Sequence, residues 1–579
     1  MKRLKTLSAF YVVMISLFIC VGSSLLKCNN VYAASAPVVF FSDLDWGPKT
    51  GWEGSTTKGA AVSIWGQSFG ATRGTSYVTI NGAQVTEYAE WDAIGPARGL
   101  ERITFWVPST AADGAGQITV TVNGVTSNSV PFTVMAGKIY FISVTDGSNS
   151  NNGLYSTVNG SNGPFKDIDM FNPEWNPSGE SISYICYVKG GTYTKTDRGN
   201  DPGSYVDLRG PYGSPSNRHA LVGYPGETPQ FTDGLNYNAD YDPYKPNNYF
   251  TYSKLTGIGG SAAFDVFGDY NRIVGCTIKD YLNAVWTGVV WITASKQAFI
   301  YGNLFDHNGY DSYKHNIYIK TQPGASVDRS TQYIYVGWNE FGNPVANDAH
   351  GGVIFVSKDS DSSVDSMPTQ NIYVHDNYFH DGNEDFIYIG DNVPIGDVYI
   401  YNNIFKGGAS SNGCMTLQQG TGNVYLYNNI FYQCGISDTA LILQMALPGY
   451  SSHSYFSNNI WFLQAGQIFF YVGASQGATM SSDHDLFYGP SGEKAPSGSG
   501  ITVTNPVIGD PRFVANGSDF HLQASSPAIN AGTPPVSVPV ITDYDGLFRP
   551  QGSVYDIGAF EYNAGPVKLP SAPTNLRVQ

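Results

Sequence analysis

Short apolar runs, many of them alternating with polar residues, follow one another along most of this chain, and one pattern recurs between residues 301 and 461. Each copy has a run rich in β-branched and aromatic residues, then Asn-x-aromatic, then a polar turn and a second β-rich run. The asparagines lie 36, 38, 26, 26 and 30 residues apart, at Asn303, Asn339, Asn377, Asn403, Asn429 and Asn459. A period of about 20–50 residues indicates a solenoid, a propeller or an array of repeats.

The composition of the repeat selects among these architectures. Its apolar runs are rich in Ile, Val, Tyr and Phe, which favour strands, and no segment between them has the period of an amphipathic helix. A propeller blade needs four strands in about 40–45 residues. The units of 26 residues are too short for that. We therefore predict an all-β protein whose main part is a right-handed parallel β-helix, a β-solenoid with one coil per repeat.

The repeated asparagine has a structural interpretation. Coils of a β-helix stack about 4.8 Å apart, so equivalent side chains form ladders along the helix axis. An asparagine at a fixed turn position can then hydrogen-bond to its copies in the coils above and below. We predict that these asparagines form such a ladder and are not functional residues.

Residues 1–33 have the pattern of a secretory signal peptide. Lys2, Arg3 and Lys5 precede an apolar segment over residues 9–21, and small residues follow at Ala33 and Ala34. The pattern predicts a secreted, extracellular protein, or a periplasmic one if the source is Gram-negative, with no membrane insertion.

The net charge and the composition limit the classes of molecule that this protein is expected to bind. The formal charge is −16 and no basic cluster is present, which argues against nucleic acid. The 40 tyrosines and 10 tryptophans suit stacking on sugar rings, although β-proteins are also rich in aromatic residues for structural reasons. We expect a polysaccharide as the partner and a monomeric protein. Four cysteines follow the predicted signal peptide, at Cys186, Cys276, Cys414 and Cys434. The sequence is compatible with a disulfide between Cys414 and Cys434, and equally with buried free thiols.

Residues 37–135 have short alternating runs separated by Gly- and Asn-rich turns, which is typical of a small β-sandwich. The spaced residues from Gly59 to Gly70, the Asn81-Gly82 turn and the Val107-Pro108 pair resemble the IPT/TIG immunoglobulin-like family. The resemblance implies an accessory module. We expect a spacer or a second contact with carbohydrate.

Residues 137–565 resemble the pectin-lyase-like superfamily of secreted β-helix proteins, both at the first strand and turn (residues 138–153) and near the end (residues 556–561). The resemblance implies one continuous parallel β-helix. The charged stretch from residue 509 onward is predicted to be a polar cap that closes the end of the solenoid. Residues 566–579 read as a Pro-rich linker.

Polar residues concentrate in the turns around the second strand of successive repeats. His315 and His350 are 35 residues apart, about one coil, so we expect both on one face. The candidate catalytic residues are Lys314, His315, Asp348 and His350, and the candidate substrate-binding residues are Tyr313, Lys320, Lys358, Glu384 and Asp385. The candidate ligands for Ca²⁺ or another divalent cation are Asp381, Glu384 and Asp385, with residues 146–152 as a second oxygen-rich segment. No organic cofactor is expected.

These residue types fit two reactions. Cleavage of a uronate polysaccharide by β-elimination needs a cation or acid at the carboxylate, a base for the C5 proton and an acid for the leaving oxygen, and His, Lys and Tyr serve as proton-transfer groups. A glycoside hydrolase instead needs two carboxylic acids beside the bond.

One resemblance favours proton transfer. Asp348-Ala349-His350, with Lys314 one coil earlier, is similar to the Asp-Pro-His motif and lysine of alginate C5-epimerases, although Ala349 replaces the proline and Val345 stands where that family has tyrosine. The leading hypothesis is a lyase or related epimerase acting on a uronate polysaccharide such as alginate or pectin. The alternatives are a glycoside hydrolase and a non-catalytic carbohydrate-binding or surface-attachment protein.

The catalytic assignment predicts the behaviour of one variant. Proton transfer by a positioned side chain contributes about 10²–10⁴-fold in rate, so His350→Ala is expected to lower turnover by at least about 10²-fold. The substitution lies in a polar turn, so the melting temperature should stay close to that of the parent. Turnover on a polysaccharide and a thermal melt test this. Parent-like turnover would assign His350 a structural role.

Overall fold

The computed structural model of the protein describes residues 36–168, 182–194, 213–232, 248–259, 263–282, 288–309, 315–321, 330–344, 352–358, 368–382, 385–390, 395–407, 413–419, 422–435, 440–446, 450–490, 492 and 494–563. Strands dominate these segments, with short 3-10 helices at Trp52–Gly54 and Ala474–Gln476.

The first part of the described chain is a β-sandwich of two mainly antiparallel sheets. One sheet has the strands Val38–Ser42, Lys58–Gln67, Glu101–Pro108 and Tyr88–Ile94 in that order. The other has Trp46–Gly47, Val130–Val134, Gly114–Val122, Tyr77–Ile80 and Ala83–Gln84, and Val125–Thr126 pairs with Gly114–Val122. The small N-terminal sandwich of the predicted fold class is therefore present, while its membership of the IPT/TIG family stays a prediction.

The rest of the chain winds through three long parallel sheets, here named A, B and C. Sheet A consists of Lys138–Ile142, Tyr184–Val188, His219–Gly223, Phe250–Ser253, Asn271–Val274, Lys296–Tyr301, Thr331–Gly337, Thr369–His375, Val398–Tyr401, Asn423–Tyr427, Ser452–Ser457, Ala478–Asp483 and Ile501–Thr504. Sheet B consists of Gly191–Tyr193, Pro229–Phe231, Thr256–Ile258, Thr277–Lys279, Leu304–Asp306, Glu340–Gly342, Tyr378–His380, Ile404–Lys406, Ile430–Tyr432, Ile460–Phe462, Leu486–Tyr488 and Val507–Ile508. Sheet C consists of Phe264–Phe267, Gly288–Thr293, His315–Lys320, Gly352–Val356, Asp385–Ile389, Met415–Gln419, Ala440–Ala446 and Ile468–Val472. The predicted all-β parallel β-helix is confirmed.

The asparagines form a continuous ladder at the corner between sheets A and B. In each rung, Oδ1 of one asparagine accepts the backbone N–H and the Nδ2–H of the asparagine one coil earlier, as in the 2.9 Å and 3.0 Å bonds from Asn303 to Asn339. Nδ2 also donates to a backbone carbonyl, as from Asn339 to Ile300 at 2.8 Å. The same bonds repeat through Asn377, Asn403, Asn429 and Asn459. The predicted structural role of these residues is confirmed.

From Phe250–Ser253 onward this corner has a constant length of two residues, whereas five residues separate His219–Gly223 from Pro229–Phe231. The ladder asparagine is the second, and the first has a left-handed backbone in each of seven successive coils, at Gly302, Trp338, Asp376, Asn402, Asn428, Asn458 and His484, with φ between 54° and 64°. Gly, Asn, Asp and His tolerate this region better than other residues, so the sequence is mostly suited to it. From Phe250 onward, the connections that differ in length are those between sheets B and C and between sheets C and A.

Aromatic rings stack inside the helix below the ladder. Phe305, Phe341, Phe379, Phe405, Phe431 and Trp461 follow one another with centroid separations of 4.3–4.8 Å. These separations match the distance between neighbouring strands, so each ring packs on its copy in the next coil. Cys186, Cys276, Cys414 and Cys434 are buried free thiols in the described core.

The sandwich packs against the outer face of the early strands of sheet A. Trp52 lies against Phe141 and Tyr187, with ring centroids 5.1 Å and 4.8 Å away. The Tyr187 hydroxyl accepts a hydrogen bond from Ala61 N–H at 2.7 Å and donates to Ala61 O at 3.0 Å. The two parts share one apolar cluster and belong to one compact unit, Pro37–Tyr562. The sandwich is thus more than a loosely tethered spacer.

Buried charges strengthen the same contact. Lys254 Nζ lies 3.2 Å from Asp43 Oδ2 and donates to Ser63 Oγ at 2.7 Å. Arg272 donates to Ser42 O at 2.7 Å. Buried charges are costly unless they are paired, and these cations of the helix find their partners in the sandwich.

The end of the described chain differs from the predicted polar cap. Residues 510–563, which include the hairpin Phe513–Ala515 and Asp519–Leu522, pack sideways on the outer face of sheet B. Outer residues of sheet B, Ile404, Ile430 and Ile460, share an apolar cluster with Phe513, Phe520, Ile557 and Phe560. Corner asparagines also donate to this segment, as from Asn402 Nδ2 to Thr542 O at 2.8 Å. We therefore name residues 510–563 the side cover. Its apolar residues explain the difference, because they bury sheet B.

Removing one ladder side chain should destabilise the protein strongly. Asn429→Ala deletes the bonds of Nδ2 to Ile400 O and Asn459 Oδ1 and leaves Asn403 N–H without its acceptor. Each buried group left without a partner costs about 1–3 kcal/mol, so we expect a loss of at least about 3 kcal/mol in the free energy of unfolding. Denaturant melts measure it. The exposed Asn516→Ala is the control and should stay within about 0.5 kcal/mol of the parent. Equal stability of both variants would contradict the ladder.

The last rung predicts a pH dependence. Asp485 Oδ1 accepts Asn459 N–H at 2.6 Å, and burial raises the pKa of this carboxyl to about 7. Its unfolded pKa is about 3.9, so the folded protein holds the proton more tightly, and the stability that this group contributes falls as the pH rises from about 4 to about 7.

Asp485→Asn keeps the rung and removes the titration. The free energy of unfolding of the variant should match that of the parent near pH 4 and exceed it by up to about 4 kcal/mol at pH 8. Denaturant melts of both proteins at the two pH values test this difference. The other buried carboxyl groups are common to both proteins, so their contributions to the pH dependence cancel. A difference that does not change with pH would contradict it.

Candidate functional site

The outer face of sheet C carries a row of mostly large side chains. In Gly288–Thr293, Val290 and Ile292 lie in the core, so Trp291 between them points outward. The parallel register repeats this outward position through Trp291, Tyr318, Phe355, Tyr388 and Thr416. These five residues are named the sheet C row. It runs along the helix axis, one residue per coil.

The rings of the sheet C row are mostly inclined to one another. Tyr318 and Phe355 have centroids 5.2 Å apart with an interplanar angle of 39°, and Phe355 and Tyr388 have 5.1 Å and 40°. Trp291 is nearly parallel to Tyr318 but 6.5 Å away. Trp291 and Tyr388 are half-buried, and the two rings between them are buried. Such rings do not cover one another's faces fully.

The outer face of sheet A has a different kind of row. Its rings stack with angles of 7–11° and centroid separations of 4.8–5.3 Å, through Phe299, Tyr335, Tyr373, Tyr399, Tyr425 and Tyr455. Parallel rings at this separation use their faces on each other and present only edges outward. This row is a structural stack and not a platform for sugar rings.

Two predicted substrate-binding lysines lie at sheet C. Lys320 Nζ is 5.5 Å from the ring centroid of Trp291 and 5.4 Å from that of Tyr318. A cation within about 6 Å of a ring is attracted by its quadrupole. Lys358 follows the neighbouring strand Gly352–Val356 and is mostly buried. Positive charge and aromatic rings therefore coincide on this face of an acidic chain.

His315 lies at the edge of the row. Its ring stacks on Phe355 with a centroid distance of 4.4 Å and an angle of 8°, and it is buried. Asn308 fixes the start of its strand, because Asn308 Nδ2 donates to Asn316 Oδ1 at 2.8 Å and to Ile278 O at 2.9 Å. This bond holds the His315 strand in place against the previous coil.

Asp385 occupies the same register position as His315, two coils further on. The strand pairs place His315, Gly352 and Asp385 in one column, with glycine in the middle coil. Two strand separations amount to roughly 10 Å along the axis. Asp385 is 2% exposed. An imidazole and a carboxyl group thus flank a position without a side chain.

The predicted metal ligands are divided between sheets. Asp381 Oδ2 lies 2.7 Å from His380 Nδ1, and His380 Nε2 lies 3.3 Å from Glu340 Oε1 at the outer side of sheet B. Burial opposes a charged His380, but the bonds to these carboxylates outweigh it and raise its pKa. Asp385 belongs to sheet C. Within the described segments, no group of three or more His, Cys, Asp or Glu side chains could hold a metal ion. The divalent-cation site stays a prediction.

The second oxygen-rich segment has the bonds of a turn. Asn149 Oδ1 accepts the N–H groups of Lys166 and Asp167 at 3.2 Å and 3.1 Å, and Asn152 Oδ1 accepts Leu154 N–H at 3.1 Å. Such Asx bonds explain the composition of residues 146–152 structurally.

Five of the predicted site residues, Tyr313, Lys314, Asp348, His350 and Glu384, lie outside the described residues. Their roles stay predictions. In the chain they shortly precede His315–Lys320, Gly352–Val356 and Asp385–Ile389, which are successive strands of sheet C.

Sequence reasoning missed Trp291, Phe355, Tyr388 and Thr416. Aligning the second β-rich run of each repeat would have found them, because they share the position between two core residues. Two of their polar atoms, Trp291 Nε1 and Thr416 Oγ1, are buried and lack a hydrogen-bond partner within the described part of the chain. A buried polar group left unpaired costs about 1–3 kcal/mol, so each needs an explanation.

The fold places this chain in the class of parallel β-helix proteins. No family profile and no curated protein matches it. It is similar to the structure of a family 28 exopolygalacturonase from Yersinia enterocolitica, with 9% identity, 84% of this chain and 100% of that chain covered, and a TM-score of 0.36. It is also similar to the Agl-KA catalytic domain, with 11% identity, 82% and 88% covered, and a TM-score of 0.26. Neither likeness bears on function at this level of similarity. Among the described residues, no helix has the length and apolarity of a membrane span.

Proposed function

We propose that this protein is an exported enzyme that acts on an acidic polysaccharide at the outer face of sheet C. The observation that carries the proposal is the row of aromatic rings with Lys320 above two of them, on a chain with a formal charge of −16. Aromatic rings stack on sugar rings, and an ammonium group binds a uronate carboxylate. Export rests on residues 1–33 alone.

The reaction that these residues support best is β-elimination. Lys320 and Lys358 neutralise the carboxylate of the bound uronate, which acidifies the neighbouring C5 proton. His315, together with the sequence candidates Lys314 and His350, supplies groups that take this proton and protonate the leaving oxygen. Because the lysines neutralise the carboxylate in this mechanism, the reaction does not require Ca²⁺ for that step.

Glycoside hydrolysis is the second candidate, and Asp385 is the observation that favours it. A hydrolase needs a second carboxylic acid within about 5–10 Å. Glu384 and Asp348 are the sequence candidates for that role. A protein that only binds polysaccharide would use the same row without turnover.

Lys320 gives the test. Purified protein is assayed on a panel of uronate and neutral polysaccharides, by ultraviolet absorbance for the new double bond and by reducing ends. We expect both signals on a uronate polymer. Lys320→Met should lower kcat/KM on it by about 10–100-fold, since a hydrogen bond to a charged group contributes about 1.5–3 kcal/mol. Lys320→Arg should retain part of the activity.

The exposed Lys494→Met is the matched control and should behave as the parent does. Reducing ends without ultraviolet absorbance would identify a hydrolase. Equal action on neutral polymers, or an unchanged Lys320→Met, would refute the role of charge at this face.

A further inference from the structure

Two buried polar atoms belong to Trp291 and Thr416, the first and last of the five positions that define the sheet C row, although the register continues to Asp265 before them and to Leu443 after them. Trp291 Nε1 and Thr416 Oγ1 are buried and have no hydrogen-bond partner among the residues that the structure describes. Thr416 is 2% exposed and stands between the longer side chains Tyr388 and Leu443, so its hydroxyl lies low between them. Both atoms belong to residues that point away from the core.

Their spacing follows from the strand register. Trp291, Tyr318, Phe355, Tyr388 and Thr416 occupy five successive coils, which is four strand separations. At about 4.8 Å each, the two ends are about 19 Å apart. A single sugar ring cannot reach both atoms, whereas a chain of several sugars lying along the row can.

The chemistry of the two atoms differs. An indole N–H is a donor only, so Trp291 needs an acceptor such as a sugar ring oxygen, a hydroxyl or a carboxylate. A threonine hydroxyl both donates and accepts, so Thr416 suits a sugar hydroxyl. Between them lie apolar rings, which suit the apolar faces of sugars.

We propose that Trp291 and Thr416 are the two outer hydrogen-bonding subsites of one site, which recognises an oligosaccharide segment of at least about 19 Å and discriminates against shorter ligands. This inference rests on the proposed function, and it adds the length of the ligand and two residues that recognise it. An unpaired buried group gains its first partner when the ligand binds, so each of these bonds counts fully toward affinity.

Isosteric variants separate this role from a structural one. Thr416→Val and Trp291→Phe each remove one polar group and keep most of the volume. If the atoms are unpaired in the free protein, neither variant should lower the melting temperature through loss of a hydrogen bond, and Thr416→Val should leave it unchanged or raise it. Thr502→Val, on the exposed outer face of sheet A, is the matched control.

Binding is measured by calorimetry with oligouronates of increasing length, from the disaccharide to the octasaccharide. The parent should bind more tightly as the chain lengthens. Each variant should bind the long oligomers about tenfold more weakly and the disaccharide as the parent does. Thr502→Val should match the parent throughout.

Two outcomes would overturn the inference. A fall in the melting temperature of Thr416→Val would show that its hydroxyl has a structural partner. Parent-like affinity of both variants for every length would show that the ends do not touch the ligand. If the parent binds neither oligouronates nor the intact polymers, the proposed function fails along with it, and that result differs from a parent that binds while its variants are unaffected.

Discussion

The corner between sheets A and B is the constraint on which the rest of the fold depends. Two residues turn the chain there in coil after coil, the first in the left-handed region and the second an asparagine whose amide bonds to the coils on both sides. The turn would leave backbone N–H and C=O groups unpaired inside the protein, and the ladder pairs them. From Phe250 onward this corner keeps its two residues, and the differences in chain length fall at the other two corners, which border sheet C.

The outer faces of the three sheets are covered in different ways. The side cover buries the later strands of sheet B, from Tyr378–His380 onward, and the sandwich buries the early strands of sheet A. The later strands of sheet A carry tyrosines whose faces are used on one another. Within the described segments, the rings of sheet C do not form a continuous parallel stack, although His315 lies flat on Phe355, and the variable connections lie on either side of this sheet. Variable loops around a rigid sheet are where binding residues concentrate.

The features that repeat along the chain could be predicted from the sequence, whereas the contacts that occur once could not. Asn-x-aromatic recurs at a constant position, so the ladder, the strands and the fold class followed from spacing alone. The docking of the sandwich depends on pairs such as Ala61 and Tyr187, 126 residues apart, which no local pattern announces. The charged residues from 509 onward predict an end cap, but apolar residues among them, such as Phe513 and Phe520, pack on the later strands of sheet B. His315, Lys320 and Asp385 were predicted as site residues from their turns and stay predictions, whereas the common outward position of Trp291 and Thr416 follows only from the strand register.

The positive charges of this acidic chain fall into two groups with different consequences. At the joints, cations are matched by specific partners. Arg98 bonds to Asp376 O at 2.6 Å and Tyr544 O at 2.9 Å, and so connects sandwich, helix and side cover. Arg549 and Glu561 form a fully buried pair at 2.8 Å. Lys320 lies over two aromatic rings on the outer face of sheet C. A cation within about 6 Å of a ring face is attracted to it, and at sheet C this attraction places the Lys320 ammonium group beside the aromatic row. Positive side chains therefore stabilise the three-part architecture at its joints, while Lys320 at sheet C is the one on which the proposed binding of an acidic polymer rests.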